Sequence, residues 1–167
     1  MILSPETLLN IFNLSVDDID CSGLKLHLDK VFTFKGRGGL YRNTKNLPEV
    51  DEIKPNEKNL YILKPGAYKI RYKEVVKVPE NTIALAIPRS TLLRAGATIY
   101  TAVWDPGYNG RGEGLMVVFN LNGIEIEVNA QIAQLIFIYM DKTTRYTYRG
   151  SYQNENIVYI NKENPSP

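Results

Sequence analysis

The sequence is short of the two residue types that most often bind zinc or cross-link a chain, because it has one cysteine and one histidine. Cys21 has no second thiol to pair with, so no intrachain disulfide can form and nothing favours an oxidising compartment. Zinc sites draw on several Cys and His ligands, and His27 is the only histidine. The composition therefore argues against a zinc protein and against a disulfide-stabilised one.

Long hydrophobic runs and an excess of charge are also missing. No apolar run approaches the roughly 18 residues of a membrane-spanning helix, and no basic segment precedes an apolar one at the N-terminus. The formal net charge is only +2, whereas nucleic-acid-binding proteins usually present a basic face. We therefore expect a cytoplasmic protein that binds neither membranes nor nucleic acids. A local cluster of Arg and Lys remains compatible with a mononucleotide.

What the chain does contain suits one globular domain. It has 167 residues, of which 44% are hydrophobic and 23% charged, which is enough to build a core. Near the N-terminus, Ser4 is a suitable helix cap and Pro5 a suitable first helical residue. We therefore predict a short N-terminal helix that ends near Asn13.

Most of the remaining chain has the pattern of short strands separated by turns. Leucines alternate with polar residues over 24–29, and Phe32 and Phe34 continue the apolar side, as in a half-buried strand. The segment Leu121–Gly123 predicts a hairpin turn, and 35–59 predicts a long polar loop region with room for one short strand. Further strands are predicted at 60–63, 67–78, 82–87, 114–120, 124–128 and 132–139. This spacing predicts a mainly β sandwich or barrel.

The segment from Pro88 to Gly110 carries the clearest chemical signal. Arg89 and Ser90 place a guanidinium fork beside a hydroxyl, and Thr91 follows directly. These donors suit phosphate oxygens, which accept several hydrogen bonds. A short internal helix is predicted to begin near Ser90, and its free backbone N–H groups would favour an anion. Arg94 adds a second cation to the same segment.

A carboxylate and an aromatic ring follow in the same segment. Asp105 comes fifteen residues after Ser90, in a Gly/Pro turn that also contains Tyr108. A carboxylate on a turn can orient or deprotonate a water, and an adjacent aromatic can hold a flat ring. Gln134, inside an apolar run, needs polar partners, which are either backbone groups of the core or a ligand. A segment that suits phosphate, a candidate general base and an aromatic ring together predict nucleotide hydrolysis.

Three motifs stand in a fixed order: Pro88–Leu92, Asp105–Gly110 and Gln131–Leu135. In order and spacing they resemble the motifs Pro-Arg-Ser-Ser/Thr-Leu, Asp-x-x-Tyr-x-Gly and Arg-Ile-Ala-Gln-Leu of the trimeric dUTP diphosphatase and dCTP deaminase superfamily. Gln131 stands where that family usually has arginine. The segment Tyr148–Gln153 resembles the Lys-Tyr-Gln segment of deaminases and short archaeal dUTPases, and it lacks the glycine-rich lid of other dUTPases.

Two further positions depart from the family's pattern. Its first motif is Gly-Tyr-Asp-Leu, whose Asp lies near the magnesium–triphosphate, and Lys25 stands at that position here. Deaminases carry a catalytic Glu in the strand after the Asp-Pro-Gly turn, and Val118 stands at the matching position. Glu113 is the nearest carboxylate, but it is expected to be out of register. The absence of that Glu favours a diphosphatase over a deaminase, whereas Lys25 favours a catalytically silent nucleotide-binding homologue.

The resemblance implies a mainly β, jelly-roll-like dUTPase barrel at 1–145 and a mobile C-terminal tail at 146–167 that closes over the site. It implies a homotrimer with shared active sites that hydrolyses dUTP to dUMP and diphosphate, with Mg2+ and with preference over dTTP and UTP. The alternatives are a dCTP deaminase, a bifunctional enzyme, or a catalytically silent nucleotide-binding homologue. No metal ligand is expected among the side chains. Asp105 is the implied catalytic residue, and the implied substrate-binding residues are Arg89, Ser90, Thr91, Arg94, Tyr108, Gln134, Arg149, Tyr152 and Gln153.

Overall fold

The described part of the chain folds into β-strands, most of them short, and two short α-helices. A computed structural model describes residues 1–157. The helices are α1 (Pro5–Phe12) and α2 (Ser90–Arg94), and a single 3₁₀ turn covers Val16–Asp18. The strands are β1 (Ile19–Asp20), β2 (Gly23–Lys35), β3 (Gly39–Leu40), β4 (Lys45–Asn46), β5 (Glu49–Ile53), β6 (Leu60–Leu63), β7 (Gly66–Tyr72), β8 (Val76–Lys77), β9 (Thr82–Pro88), β10 (Ala97–Tyr100), β11 (Asn109–Gly110), β12 (Glu113–Val118), β13 (Ile124–Glu127) and β14 (Gln131–Tyr139).

One antiparallel sheet dominates the structure. Its strands run in the order β10-β12-β7-β2-β14-β9, and β1 and β5 also pair with β2. The two ends of the sheet approach each other, because β9 contacts β10, so the sheet is nearly closed into a barrel. The ladders β8–β11, β6–β13 and β3–β4 complete it. The predicted mainly β, jelly-roll-like barrel with two short helices is confirmed.

The predicted N-terminal helix is confirmed together with its caps. The Ser4 hydroxyl accepts a hydrogen bond from the Thr7 backbone N–H at 3.3 Å, as an N-cap does. Asn13 ends the helix in the left-handed conformation, with φ of 51°. Phe12 packs against Phe137 of β14, with ring centroids 5.1 Å apart. This contact ties α1 to the barrel.

The long strand β2 keeps its leucines inside, but a bulge changes the phase of its alternation. Leu26, Leu28 and Val31 are each fully buried, so the inward spacing lengthens from two residues to three. The pairing of β2 with β7 shifts register between Leu28 and Lys30. An extra residue in a bulge turns the following side chains to the other face. The expected continuation of the inner face through Phe34 is therefore wrong, and Phe34 is 41% exposed.

Two other expectations need correction. Residues 35–59 are not mainly loop, because they contain β3, β4 and β5. The alternation of apolar and polar residues does not reveal β5, because this strand lies on an edge of the sheet, pairs with β2 and carries charged side chains. The turn at Leu121–Gly123 does not close a hairpin between its flanking strands. β12 pairs with β10 and β7, while β13 pairs with β6. A local turn signal cannot reveal which sheet the next strand joins.

The membrane expectation can be compared only with the helices that the structure describes. Within residues 1–157, neither helix has the length and apolar composition needed to cross a membrane. The predicted C-terminal tail lies partly outside the described residues, because its segment 158–167 is not among them.

Candidate functional site

Asp105 stands at the rim of a cavity of about 610 Å³. Its carboxylate is exposed, while most of the cavity wall is apolar. This volume is within the range of small-molecule sites, which are mostly apolar with a few polar groups. The lining residues are Phe34, Leu47, Pro48, Val50, Lys69, Ala102, Val103, Trp104, Asp105, Tyr108, Gly112, Glu113, Tyr148, Tyr152 and Glu155.

The position of Asp105 is fixed by a tight turn. Trp104, just before it, exchanges two backbone hydrogen bonds of 2.9 Å with Ala84 of β9. The Tyr108 backbone N–H then donates to the Asp105 carbonyl at 3.1 Å. Pro106 precedes Gly107, whose φ is 77°, which is the pattern of a type II turn. A residue with a Cβ would be strained at Gly107. The Asp-Pro-Gly sequence therefore holds the carboxylate at a defined point of the rim.

Tyr108 is more enclosed than the sequence suggested, with only 5% of its surface exposed. Its ring lies edge-on to Trp104 and Tyr148, at centroid distances of 5.3 and 5.6 Å. Its hydroxyl donates to Glu155 Oε1 at 2.8 Å. Burial, followed by this hydrogen bond, raises the pKa of Tyr108, so the phenol remains a donor at neutral pH. Only the edge that faces the cavity is available to a ligand.

The described part of the C-terminal tail is hydrogen-bonded to the loop that carries Asp105. The Tyr148 N–H donates to the Pro106 carbonyl at 2.7 Å. The Gln153 side chain accepts from the Asn109 N–H at 3.0 Å and donates to the Gly107 carbonyl at 2.9 Å. These bonds hold residues 148–157 across one side of the cavity.

Two of the predicted tail residues differ in their surroundings. Tyr152 lines the cavity, and the Lys45 ammonium lies 5.0 Å from its ring centroid. Arg149 is exposed and is not among the residues that line the cavity. Gln153 holds the tail in place through the bonds above rather than lining the cavity wall.

The cavity also contains an ion pair that sequence reasoning did not place there. Lys69 on β7 donates to Glu113 Oε2 at 2.9 Å, and its ammonium lies 4.7 Å from the Phe32 ring centroid. Glu113 is the first residue of β12 and lines the same cavity as Asp105. Val118, the position matched to the deaminase Glu, is 2% exposed and belongs to the core. The only signal for Glu113 was its distance from the Asp-Pro-Gly turn.

Beneath the cavity floor, Tyr72 is fully buried behind Trp104, with ring centroids 6.0 Å apart. Its hydroxyl has no hydrogen-bond partner among residues 1–157, and burial raises its pKa. A Cβ at position 114 would lie 2.9 Å from the hydroxyl oxygen. Gly114 therefore lets β12 pass close to this ring.

The predicted phosphate-binding residues form a separate cluster. None of Arg89, Ser90, Thr91, Arg94 or Gln134 lines the cavity that contains Asp105. As expected, α2 begins at Ser90, with Arg89 as the residue before it. Ser90, Thr91 and Arg94 are exposed. The structure therefore separates the predicted site residues into two groups, one at the Asp105 cavity and one around Arg89.

Arg89 is held by residues that the sequence did not single out as site residues. Its Nη1 donates to Gln131 Oε1, and its Nη2 lies 3.8 Å from Asp20 Oδ2. Gln131 Nε2 donates to the same Asp20 oxygen at 3.0 Å. The hydrogen bond from Gln131, and then that from the Cys21 N–H, lowers the pKa of Asp20 against the effect of burial. Asp20 lay in no recognisable motif, and Gln131 was noted only as a departure.

The other departure, Lys25, lies close to this cluster in the sheet. It pairs with Gln134 across β2 and β14, and Gln134 in turn pairs with Ile87 of β9. The Lys25 ammonium donates to the Asp17 carbonyl at 2.7 Å. The register therefore places Lys25 and Gln134 on the same three-stranded part of the sheet as Arg89 and Gln131.

The nearly closed β barrel thus carries a cavity lined by Asp105 and, apart from it, the cluster of Arg89. The model of the family described as dCTP deaminase-like matches residues 5–140. The chain therefore belongs to the dCTP deaminase-like family.

Two curated relatives are similar to this chain in sequence, and one solved structure is similar to it in fold. The chain is 43% identical to the probable deoxyuridine 5'-triphosphate nucleotidohydrolase of Methanococcoides burtonii, over 81% of each chain. It is 41% identical to the deoxyuridine 5'-triphosphate nucleotidohydrolase of Methanocaldococcus jannaschii, over 92% of this chain and 99% of that one. The crystal structure of 2'-deoxycytidine 5'-triphosphate deaminase from Agrobacterium tumefaciens has a TM-score of 0.68 at 16% identity, covering 85% of this chain and 50% of that chain.

The half-buried carboxyl of Glu155 makes the stability of the docked tail depend on pH. Burial is the main cause that raises its pKa from 4.5, and the Tyr108 hydrogen bond opposes it. The folded state therefore binds this proton more tightly than the unfolded state does. Stability from this group is complete below 4.5 and falls as the pH rises through the raised folded pKa. We predict that the free energy of unfolding of Glu155→Gln rises relative to that of the unmodified chain as the pH increases from about 5 to about 7.

The measurement is urea unfolding at both pH values, followed by fluorescence of Trp104, the only tryptophan. Glu125→Gln, at an exposed position of β13, is the matched control and is expected to show no such trend. Equal pH trends in the two variants would contradict the assignment.

Proposed function

We propose that the chain is a dUTP diphosphatase that hydrolyses dUTP to dUMP and diphosphate. The observation that carries the proposal is the exposed Asp105 carboxylate, held by a type II turn at the rim of an apolar, aromatic-lined cavity. Such a cavity suits the base and deoxyribose of a nucleotide. The names of the two similar proteins from Methanococcoides burtonii and Methanocaldococcus jannaschii support the same reaction.

In the proposed reaction Asp105 is the general base. It orients a water and accepts its proton as the oxygen attacks the α-phosphorus, and diphosphate leaves. Proton transfer to a positioned group of this kind contributes about 10²- to 10⁴-fold to a rate. The cavity edge of Tyr108 faces the deoxyribose, where it crowds a 2'-hydroxyl and so disfavours UTP. Backbone groups of the segment 96–103 read the uracil edge.

The triphosphate is bound by the second cluster, from a neighbouring subunit. Arg89 supplies a guanidinium fork, Ser90 and Thr91 supply hydroxyls, and Arg94 adds charge, as phosphate oxygens require. Gln134 stands beside them in the sheet. The separation of this cluster from the Asp105 cavity within one chain supports sites that are shared between subunits.

The outer surface of β10 and β12 supports a homotrimer. Tyr100 and Leu115 are directly paired across these strands, and they are 56% and 37% exposed. Phe119, just after β12, is 63% exposed, and Leu93 of α2 is 51% exposed. Large apolar side chains grouped in this way mark interaction surfaces. In the trimer each such surface meets a second copy of the chain.

Magnesium enters the proposal as part of the substrate. Residues 1–157 bring together no three His, Cys, Asp or Glu side chains that could hold a metal ion. The donor set of residues 1–157 does not fit a magnesium site made by these side chains alone. Mg2+ commonly stays bound to substrate phosphates and water, so the proposed substrate is the magnesium complex of dUTP.

The tail is proposed to complete the site. As in the sequence-based division of the chain, the proposed barrel covers 1–145 and the proposed tail covers 146–167. Tyr152 contributes to the cavity wall, and Gln153 fixes the tail to the turn of Asp105. Arg149 is exposed, and we assign it to the phosphates. The tail thus limits the access of bulk water to the reacting groups.

A deaminase is the second candidate, because one observation favours it. Glu113 lines the cavity, so a carboxylate does lie near the expected position of the nucleobase. Its Oε2 is already hydrogen-bonded to Lys69, however, and a proton shuttle at the ring would have to break that pair. A silent nucleotide-binding homologue is the third candidate, favoured by Lys25 in the first motif.

Parallel incubation with dUTP, dCTP, dTTP and UTP tests these candidates, with and without magnesium. We expect diphosphate from dUTP at a kcat/KM at least about 100-fold above that for dTTP or UTP, because unpaired polar groups penalise the wrong base or sugar. Diphosphate and ammonia are measured separately. Ammonia from dCTP would replace the proposal with the deaminase and assign Glu113 as its base. Release of neither product would favour the silent homologue.

Asp105→Asn tests the proposed base directly. The amide preserves the shape of the side chain but cannot accept the proton, so kcat for dUTP should fall by about 10³-fold. Binding of dUTP, measured by calorimetry, should stay within about threefold because no phosphate contact is lost. Asp141→Asn, at an exposed carboxylate two residues beyond β14, is the matched control. An unchanged kcat in Asp105→Asn would sink the assignment.

Mixing two inactive variants tests whether sites are shared. Arg89→Met and Asp105→Asn are each expected to have little activity. In a reassembled one-to-one mixture, about a quarter of the sites of a closed trimer should combine an intact Asp105 with an intact Arg89 of another subunit. Diphosphate release should therefore recover to about a quarter of the unmodified rate. No recovery in a mixture that has exchanged subunits, or a mass of one chain in sedimentation, would exclude shared sites.

A further inference from the structure

Three polar side chains from distant parts of the sequence are joined in one chain of hydrogen bonds. Arg89 Nη1 donates to Gln131 Oε1, and Gln131 Nε2 donates to Asp20 Oδ2 at 3.0 Å. The other oxygen of Asp20 accepts from the Cys21 backbone N–H at 2.9 Å. Asp20 and Arg89 are 20% and 38% exposed at their side chains. The group is therefore partly shielded from water, where charge-assisted hydrogen bonds are stronger than in bulk solvent.

The backbone fixes all three residues before their side chains meet. Asp20 belongs to β1, which pairs with the start of β2 at Gly23. Gln131 is the first residue of β14 and pairs with His27 of β2. The Arg89 N–H donates to the carbonyl of Ile132, the neighbour of Gln131, at 2.9 Å. Backbone pairing in the sheet therefore brings the Arg89 guanidinium and the Gln131 amide together.

An amide suits the middle position of this chain of hydrogen bonds. It offers a carbonyl oxygen to the Arg89 donor and an NH₂ group to the Asp20 acceptor. A carboxylate there would face Asp20 without a donor, and a cation would face Arg89 without an acceptor. The hydrogen bond from Gln131 is also the largest cause of the lowered pKa of Asp20. Asp20 thus remains a charged acceptor at the end of the chain.

We propose that Gln131 and Asp20 are positioning residues that hold the Arg89 guanidinium in one orientation before a phosphate binds. This inference rests on the proposed function, in which Arg89 binds the triphosphate. The guanidinium has five N–H donors, and the hydrogen bonds among residues 1–157 use its Nη1. Its Nη2 lies 3.8 Å from Asp20 Oδ2, beyond hydrogen-bond distance, so the remaining donors of the fork can turn to phosphate oxygens. Orientation that is established in advance reduces the entropy lost on binding.

The relay also gives Gln131 a different task from the arginine that the family motif has at this position. An arginine there would bring a second cation beside Arg89 and would offer it no acceptor. Gln131 carries no charge and acts through Arg89. Removal of the Gln131 amide should therefore weaken phosphate binding only while Arg89 is present. A merely structural role of Gln131 would not depend on Arg89.

A double-mutant cycle of Gln131→Met and Arg89→Met tests this dependence. Methionine has a similar volume but neither donor nor acceptor. We expect Gln131→Met to raise KM for dUTP, and Kd for inorganic triphosphate, by about tenfold, with kcat within about twofold, as for one lost charge-assisted bond. In the Arg89→Met background, the same change should alter the Kd for triphosphate by less than about twofold. Asp141→Asn is the control and should leave all constants unchanged.

Each outcome of the cycle is decisive. Equal effects of Gln131→Met with and without Arg89, or no effect on triphosphate binding, would overturn the positioning role even if dUTP is hydrolysed. Non-additive binding without turnover of dUTP would keep the positioning role and reject the proposed reaction. Failure of the unmodified chain to bind triphosphate would reject both. Should Gln131→Met unfold early in a thermal melt, Asp20→Asn replaces it, with a smaller rise in Kd that must also vanish without Arg89.

Discussion

The pairing of β14 with both β2 and β9 is the constraint on which the rest of the structure depends. Leu135 and Phe137 of β14 are fully buried, and burial of such a side chain contributes about 1.5–3 kcal/mol. A shift by one residue would turn them outward and bring Gln134 inside. The same register sets Gln131 beside Arg89 and Gln134 beside Lys25. Core packing thus determines the geometry of a polar cluster on the opposite face.

The Asp105 turn and the Arg89 cluster are stabilised by different kinds of contact. The Asp105 turn depends on local backbone conformation, since Pro106 and Gly107 set its shape and the paired backbones of Trp104 and Ala84 anchor it. The Arg89 cluster depends on long-range contacts, because its partners Asp20 and Gln131 are far away in the sequence. A turn can be recognised from a few residues. The chain of hydrogen bonds from Arg89 through Gln131 to Asp20 exists only once the sheet has formed.

Several differences between sequence pattern and structure have one cause, which is that a pattern describes a neighbourhood along the chain. The bulge in β2 changes which residues face the core after Leu28, although the half of the strand before it alternates as the sequence predicts. Glu113 was judged by its offset from a motif, whereas the pairing of β12 with β7 sets it beside Lys69 in the cavity. Glu155, in a polar tail, became a partner of Tyr108 only because the tail folds back.

The sequence by itself determined the class of fold, the helix at Ser4, the helix at Ser90 and the turn of Asp105, because these rest on short-range alternation, capping and the φ values of proline and glycine. Tertiary structure alone decided that Asp105 and Arg89 lie in separate clusters, that Gln131 joins Arg89 to Asp20, and that Tyr108 is enclosed by the tail. Those arrangements follow from which strands pair and in what register, and register is set by burial of the whole core rather than by any local segment.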